Sequence, residues 1–402
     1  MIYESPRAID VGSFISFDQA ASTPLRPAVL DAMMPWLLDG ANPSGAHRAA
    51  QAARTVVEEA RERVAELMCA GPREVVFTSG GTESDNLAVL GGAVPAARAL
   101  QQSSDHDPDV PPNVIVSAIE HKAVLEPCAE LARIGVAVRT LGITSDGHVE
   151  PMALASLIDE RTVFVSVMTV NNELGSIQPI DELARTVRRA RQGTLFHTDA
   201  VQAPLWIDVG EATKLAHLVS LSGHKFGGPK GAGVLVVRET ALEPQVRGGG
   251  QEFGLRGGTL NTAAIVGFAE ALSIAHTERE EVVIRVARLR ERLEQALIAG
   301  VPGLRVNAPG GSVGHLHVTL PDINAEVALI ALDREGIGVS AGASCASGAT
   351  DASHVLTAIG MPDAEARCSL RISLSFATTE AMIDRATVVV PRTLAALIPA
   401  RT

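Results

Sequence analysis

Lys225 is the side chain of this sequence with the clearest chemical potential. It lies in the stretch LSGHKFGGPKGAG (residues 221–233), and Lys230 follows five residues later, although the chain of 402 residues holds only four lysines. A lysine buried near the end of a strand loses its charge easily, and its primary amine can form an imine with an aldehyde. A surface lysine in a loop is the alternative for an isolated residue. We interpret Lys225 as the imine-forming amine and Lys230 as structural.

Two further polar residues follow predicted strands. Asp199 comes after the apolar run 194–198, where a carboxylate could keep a pyridine nitrogen protonated, although it could also cap a helix. His121 follows the run 113–118 and could stack on a flat aromatic ring, with a helix cap again as the alternative. Both residues are therefore candidates for binding an aromatic cofactor.

A glycine-rich turn joins a predicted strand to a predicted helix in TSGGTESDNLAV (78–89). Gly80 and Gly81 let the backbone approach an anion, Thr82 adds a hydroxyl, and the free N–H groups at a helix N-terminus bind phosphate. The spacing differs from that of a P-loop, and tight turns need glycine in any case. A phosphate loop, a carboxylate, a histidine and a lysine at strand ends together form the side-chain set of a pyridoxal 5′-phosphate (PLP) site.

Apolar β-branched runs alternate with helical patterns over the part of the chain that holds these candidates. The predicted strands cover 74–79, 113–118, 136–141, 162–168, 194–199, 218–223 and 233–237, and the predicted helices cover 48–69, 122–134, 151–159 and 181–191. This alternation predicts an α/β fold with a mostly parallel seven-stranded sheet covered by helices. Ligands bind at the carboxyl ends of the strands in such sheets, which is where the candidates lie.

The pattern changes after about residue 262 and predicts a second, smaller α+β domain. Long helical patterns at 262–299, 324–336 and 379–397 are interrupted by short strand patterns at 314–320, 337–340 and 370–376. The predicted division is a large PLP-binding domain over 17–262 and a small C-terminal domain over 263–402, with residues 1–16 packing near the small domain. The polar, acidic stretch 101–112 is expected to be a surface loop.

Composition excludes several classes of function. A net charge of −12 argues against direct nucleic-acid binding, because phosphate binding needs clustered Lys and Arg. No apolar run reaches the roughly 18 residues of a membrane span, and the N-terminus lacks a signal-peptide pattern. The expected location is therefore the cytoplasm.

Metal and disulfide sites are not indicated. The four cysteines have no C-x-x-C spacing, which argues against a zinc site and a disulfide framework. His315 and His317 alternate on a predicted strand as two metal ligands might, but no third ligand is near in the sequence. We therefore assign them to a strand of the small domain and expect no metal.

The sequence resembles the cysteine desulfurases of the NifS/IscS type, which are class V aminotransferase-like, fold-type I PLP-dependent transferases. The resemblance extends from residue 17 to residue 376 and rests on the motifs FDQAASTPLRPAVLDAM (17–33), NPSGAH (42–47), FTSGGTESDN (77–86), EHKAV (120–124), VNNELG (170–175), HTDAVQ (197–202), SGHKFGGPKG (222–231), RGGTLN (256–261), GASCASG (342–348) and RISLSF (371–376).

The resemblance implies a role for each matching residue. Lys225 would bind PLP covalently, His121 would stack on the ring and relay a proton, and Asp199 would pair with the pyridinium nitrogen. Gln202 would contact the phenolic oxygen of the ring. The implied phosphate ligands are Gly81, Thr82, Ser222, His224 and, from the second subunit of a homodimer, Thr259. The implied ligands of the substrate carboxylate are Asn42, Asn172 and Arg371.

Cys345 would be the nucleophile by the same resemblance. The family usually has Ser-Ala before this cysteine, whereas this chain has Ala343-Ser344, and a histidine common before the Asn-Asn pair is Thr169 here. Neither change removes a catalytic group. The sequence alone supports Cys345 as the nucleophile less strongly than the resemblance does, since most cysteines are buried thiols.

The implied function is removal of sulfur from L-cysteine to give L-alanine and a Cys345 persulfide, which passes to an acceptor protein. Iron–sulfur cluster assembly, tRNA thiolation and DNA phosphorothioation are all possible destinations. A selenocysteine lyase, another PLP-dependent C–S lyase, an aminotransferase and a non-catalytic scaffold are the alternatives. The sequence does not choose between cysteine and selenocysteine as substrate.

Overall fold

The computed structural model describes residues 14–103, 109–341 and 352–398. The strands in these ranges are β1 (Ile15–Ser16), β2 (Val75–Thr78), β3 (Asn113–Ser117), β4 (Ala137–Leu141), β5 (Thr162–Ser166), β6 (Leu195–Asp199), β7 (Leu218–Ser222), β8 (Gly233–Val237), β9 (Arg305–Asn307), β10 (His315–Thr319), β11 (Ile337–Gly338) and β12 (Ser369–Ser373).

Helices of very different lengths connect these strands. They are α1 (Pro27–Leu38), α2 (Arg48–Leu67), α3 (Gly81–Gln101), α4 (Lys122–Arg133), α5 (Pro151–Leu157), α6 (Ile180–Ala190), α7 (Val209–Thr213), α8 (Thr262–Gly300), α9 (Ala325–Arg334), α10 (His354–Ala358), α11 (Asp363–Ala366) and α12 (Glu380–Ala395). None of them combines the length and the apolar content that a membrane span requires.

The central sheet confirms the predicted fold class. Its seven strands lie in the order β2-β8-β7-β6-β5-β3-β4. All neighbours from β7 to β4 pair in parallel, whereas β8 is antiparallel to both β7 and β2. Because β2 runs in the same direction as the parallel strands, the carboxyl ends of six strands lie at one edge of the sheet.

Helices form where apolar residues recur every three to four positions and where the charges at the two ends suit the helix dipole. In α6, Ile180, Leu183, Ala184 and Val187 are buried at a spacing of three to four residues. Acidic residues lie in its first turn and basic residues in its last turn, which complements the helix dipole. All strands of the sheet except the edge strand β4 are buried along almost their whole length, which explains why their sequences read as continuous apolar runs.

The C-terminal part contains an antiparallel sheet in the order β12-β10-β9 and the small parallel pair β1-β11. The pairing of Ile15 with Ile337 joins the start of the described chain to this part. The long helix α8 packs against α1, α2 and α12 and so contacts elements from both ends of the chain. The boundary at residue 262 remains a prediction.

A buried ion pair fixes the loop between β8 and α8 to the sheet. Arg61 Nη2 lies 2.7 Å from Glu252 Oε1, with exposed side-chain fractions of 3% and 0%. Glu252 also accepts a hydrogen bond from the Phe77 amide in β2, and the Arg61 guanidinium lies over the rings of Phe77 and Phe253. Glu252 has a φ of 47°, a left-handed backbone that this network stabilises.

We expect Glu252→Gln to lower the free energy of unfolding by about 3 kcal/mol, because it leaves the Arg61 guanidinium without its buried partner. The measurement is the shift of the guanidinium unfolding curve. Glu58→Gln is the matched control, since Glu58 contacts the same arginine but is half exposed, so its loss should cost about 0.5 kcal/mol or less. Equal shifts for the two variants would contradict the importance of the buried pair.

Candidate active site

A pocket of about 400 Å³ opens at the carboxyl edge of the central sheet. Residues from α3, from the ends of β6 and β7, and from β12 contribute to it. Ten residues predicted from the sequence line it, namely Gly81, Thr82, His121, Asn172, Asp199, Gln202, Ser222, His224, Lys225 and Arg371. Residues far apart in the chain therefore meet in one cavity.

Lys225 projects into this pocket from the short turn after β7. Its Nζ donates hydrogen bonds to the carbonyl oxygens of Ala20 at 2.7 Å and Ala21 at 2.8 Å. Burial, together with the nearby positive charge of Arg371, lowers the pKa of Lys225 to about 8. The amine is thus held by neutral acceptors and carries a substantial neutral fraction near physiological pH. Lys230 is exposed and does not line the pocket.

The lowered pKa predicts the pH dependence of Lys225 labelling. Only the neutral amine reacts with acetic anhydride, so labelling of Lys225 should rise with pH and level off above about 8. Lys214 is the internal control, because its ion pair with Glu211 raises its pKa. Peptide mass spectrometry after brief labelling of the PLP-free protein measures both. Matching profiles for the two lysines would contradict the environment described for Lys225.

Asp199 lies at the end of β6 and is buried. Its Oδ1 accepts a hydrogen bond from the Val201 amide at 2.9 Å. Burial and the nearby carboxyl of Asp85 raise the pKa of Asp199 to about 7. A positively charged partner in the pocket would favour the ionised form, which is what a pyridinium nitrogen would provide.

Asp85 is a buried pocket residue that the sequence reasoning missed. Burial raises its pKa to about 7, and its Oδ1 lies 3.5 Å from His197 Nε2. That oxygen has no hydrogen-bond partner among the described residues. Because burial lowers the pKa of His197 to about 4, the neighbour is a neutral imidazole and the contact is not an ion pair. Asp85 lies in the TESDN motif, but nothing in the motif showed which face of α3 points to the pocket.

His121 caps helix α4 and lines the pocket at the same time. Its Nδ1 accepts a hydrogen bond from the Ala123 amide at 3.1 Å, and burial lowers its pKa. The neutral ring therefore carries its proton on Nε2. The two roles considered from the sequence, helix cap and pocket residue, are compatible.

The part of the pocket that is predicted to bind a phosphate lies at the start of α3. Gly80 has a φ of 151°, and a Cβ on Gly81 would lie 2.7 Å from Val201 Cγ2, so a side chain does not fit at Gly81. Ser222 at the end of β7 faces the same turn. Burial and the charge of Lys225 lower the pKa of His224 to about 4. Free helix N–H groups and neutral donors are well suited to a phosphate.

Arg371, in β12, also lines the pocket. Its Nη2 lies 2.6 Å from Asp18 Oδ1, and its Nη1 donates to the carbonyl oxygen of Asn172 at 2.9 Å. Asn172 thus contributes its backbone here. Asp18 was missed as a site residue, although it lies in the motif FDQAAS, because its pairing with Arg371 spans most of the chain.

Two predicted site residues do not contribute to the pocket of their own chain. Asn42 and Thr259 are exposed and do not line the pocket of their own chain. Cys345 lies outside the described residues. The roles assigned to these three residues remain predictions.

The described cysteines are poorly suited to act as thiolates. Burial raises the pKa of Cys128 to about 12. It also raises the pKa of Cys69, with help from Glu211, and that of Cys368, with help from Asp322. Since the thiolate is the nucleophilic form, none of the three is activated.

His315 and His317 are buried on β10. Burial and the charge of Arg371 lower the pKa of each to about 3. No group of three or more His, Cys, Asp or Glu residues within the described ranges could hold a metal ion.

A family model for "Aminotransferase class-V" matches residues 15–386 of the chain. The chain belongs to the class V aminotransferase family. A curated class V relative, the cysteine desulfurase IscS of Dictyoglomus turgidum, is 37% identical over 370 residues, which cover 91% of each chain. The predicted resemblance to NifS/IscS-type enzymes is thereby confirmed. Class V aminotransferases and cysteine desulfurases are PLP enzymes.

Solved structures of other proteins show the same fold. A NifS-like protein superimposes with a TM-score of 0.86 at 33% identity, covering 96% of this chain and all (100%) of that one. SspA in complex with cysteine gives a TM-score of 0.77 at 35% identity, covering 90% of this chain and 99% of that one. The fold predicted from the sequence is that of these enzymes.

Proposed function

We propose that this protein is a PLP-dependent cysteine desulfurase, which converts L-cysteine to L-alanine and leaves the sulfur as a persulfide on Cys345. The observation that carries the proposal is that the Lys225 amine, the Asp199 carboxyl and the Arg371 guanidinium line one pocket, where both charged groups act on Lys225. This chemistry requires three groups: an amine with a lowered pKa, a carboxyl group that pairs with the ring nitrogen, and a guanidinium that binds the substrate carboxylate.

The pocket residues fit PLP. Lys225 would bind its aldehyde carbon, Asp199 its ring nitrogen, and His121 the face of its ring. Gln202 donates through Nε2 to the Ala20 carbonyl and lines the pocket where it could contact the phenolic oxygen. The phosphate ligands would be Gly81, Thr82, Ser222 and His224, with Thr259 of the partner subunit.

When bound, PLP supplies an electron sink that weakens the bonds at Cα and Cβ of the substrate. Arg371 binds the substrate carboxylate through two parallel N–H bonds and fixes its orientation. Lys225 Nζ takes the proton from Cα and later returns a proton to the substrate carbon. Burial and Arg371 lower the pKa of Lys225 to about 8 in the PLP-free pocket, which favours the neutral, proton-accepting amine. His121 Nε2–H is placed to pass a proton in the same region.

Cys345 acts at the substrate sulfur. Its thiolate forms an S–S bond as the Cβ–S bond breaks, and the electron pair of the broken bond stays on carbon until Cβ takes up a proton. The balance is one L-cysteine and one Cys345 thiol giving one L-alanine and one Cys345 persulfide. An acceptor protein then removes the terminal sulfur.

Product analysis tests the function. Purified protein incubated with PLP should turn yellow and form alanine from L-cysteine, with sulfide appearing when a thiol reductant is present. Pyruvate and ammonia as the main products would instead indicate β-elimination. Protein that stays colourless with added PLP and leaves cysteine unchanged would overturn the proposal.

The proposal includes a homodimer. It is supported by the position of Thr259, which is exposed and outside the pocket of its own chain, so that only a second copy could bring it to a phosphate. We expect a solution mass of twice that of one chain by light scattering. A fully active species with the mass of one chain would contradict the dimer.

A further inference from the structure

Arg371 already binds a carboxylate before any substrate arrives. The Asp18 carboxylate lies 2.6 Å from its Nη2, and the Arg371 side chain is only 6% exposed. The Asn172 carbonyl accepts from Nη1. The remaining guanidinium nitrogen, Nε, is buried and has no partner among the described residues.

The guanidinium has capacity for a second carboxylate. It carries five N–H donors, of which the hydrogen bonds to Asp18 and Asn172 use two. A substrate carboxylate therefore need not displace Asp18. It must instead approach a cation that is already paired, close to a resident negative charge.

The position of Asp18 is fixed by the strand that carries Arg371. Ser373, two residues after Arg371 in β12, donates its amide to the Phe17 carbonyl at 2.7 Å. Its hydroxyl oxygen accepts from the Ala20 amide at 2.9 Å. The backbone of Asp18 forms an isolated parallel β-bridge with Ser373. The carboxylate and the guanidinium are thus held on one rigid frame.

Asp18 also acts on the other end of the substrate site. Its negative charge favours the protonated form of Lys225, whereas Arg371 opposes that form. The Lys225 amine is held by Ala20 and Ala21, two and three residues after Asp18. A positive charge near Lys225 is therefore attracted by Asp18, and a negative charge near Arg371 is repelled by it.

We propose that Asp18 is a positioning and selectivity residue. It orients the Arg371 guanidinium and weakens the binding of carboxylates that lack an ammonium group. A zwitterionic amino acid offsets the repulsion at its carboxylate with attraction at its amine, whereas a simple carboxylate does not. The inference rests on the proposed function, because it takes Arg371 as the receptor of the substrate carboxylate.

The test uses the PLP-loaded enzyme and 3-(methylthio)propionate, which has the carboxylate and sulfur of the substrate but neither an amine nor a free thiol. Its dissociation constant is measured by calorimetry. Asp18→Asn keeps the shape and an acceptor for Arg371 but removes the charge, so the probe should bind at least about tenfold more tightly. Asp18→Ser, which removes the charge and also the acceptor that orients Arg371, should still tighten probe binding, but less than Asp18→Asn does. Asp31→Asn, at an exposed aspartate of α1, should bind the probe as the parent does.

An Arg371→Gln variant separates the role of Asp18 from the assignment of Arg371 as the carboxylate site. If it loses probe binding while both Asp18 variants tighten it, the inference stands. If it loses probe binding while the Asp18 variants bind the probe equally or more weakly, the role of Asp18 is overturned and the proposed function is untouched. If Arg371→Gln binds the probe as well as the parent, the carboxylate site itself is wrongly assigned and the inference falls with it.

Discussion

Lys225→Ala should lower the rate of alanine formation by a factor of at least about 10⁴, because one change removes both the covalent anchor of the cofactor and the proton-transferring amine. The measurement is a single-turnover assay at saturating PLP. Absorbance spectra recorded alongside should show free rather than protein-linked cofactor.

Lys230→Ala is the matched control for this variant. Lys230 lies in the same glycine-rich stretch but is exposed, and we expect its variant to form alanine at the parental rate with an unchanged absorbance spectrum. A Lys225→Ala enzyme that kept more than about a tenth of the parental rate would contradict the assignment, since a positioned acid–base group alone contributes about a hundredfold or more.

Cys345→Ser should reduce alanine formation by a factor of at least about 10³, because a serine hydroxyl does not ionise near neutral pH and cannot replace the thiolate. The cofactor should remain bound, so the visible absorbance band should match that of the parent. This combination of a lost reaction and a retained band separates the Cys345 variant from the Lys225 variant.

The other cysteines provide the controls. Cys69→Ser and Cys368→Ser should keep the parental rate, because burial and neighbouring carboxylates raise the pKa of both thiols. Full alanine formation by Cys345→Ser, or its loss in the Cys69 variant, would move the nucleophile away from Cys345.

The sheet could be predicted closely because most of its strands are buried along their length, with the edge strand β4 as the exception. β3 was predicted over 113–118 and runs from Asn113 to Ser117, and β6 was predicted over 194–199 and runs from Leu195 to Asp199. The strand predicted over 162–168 ends at Ser166, and the next two residues, Val167 and Met168, are still buried, which is why the apolar pattern continues past the strand.

The C-terminal elements were harder to predict because they are short. β9, three residues long and partly exposed, has no alternating pattern that would have revealed it. The strand predicted over 337–340 covers only Ile337–Gly338. The short helix α10 depends on its cap, Ser353, more than on apolar spacing, and the one-turn helix α11 follows Pro362 without a side-chain cap.

In the site, residues placed by the local sequence pattern could be predicted, whereas contacts between distant parts of the chain could not. Asp199 ends β6, and Lys225 and His121 come shortly after β7 and β3, so the parallel sheet brings them together once its topology is known. The contact of Asp18 with Arg371 joins residues 353 positions apart, and no local pattern encodes it. Asp85 lies on α3, where only the packing of the helix determines that its carboxyl faces the pocket.

The mass of the Cys345 peptide after reaction with L-cysteine tests the central claim most directly. PLP-loaded protein is mixed with one equivalent of L-cysteine without reductant, trapped with an alkylating reagent and digested. We predict a Cys345 peptide heavier by one sulfur atom, one alanine formed per modified peptide, and unmodified peptides for the exposed Cys69. Alanine formed while the added sulfur is found on another cysteine, or pyruvate formed with Cys345 unmodified, would contradict it.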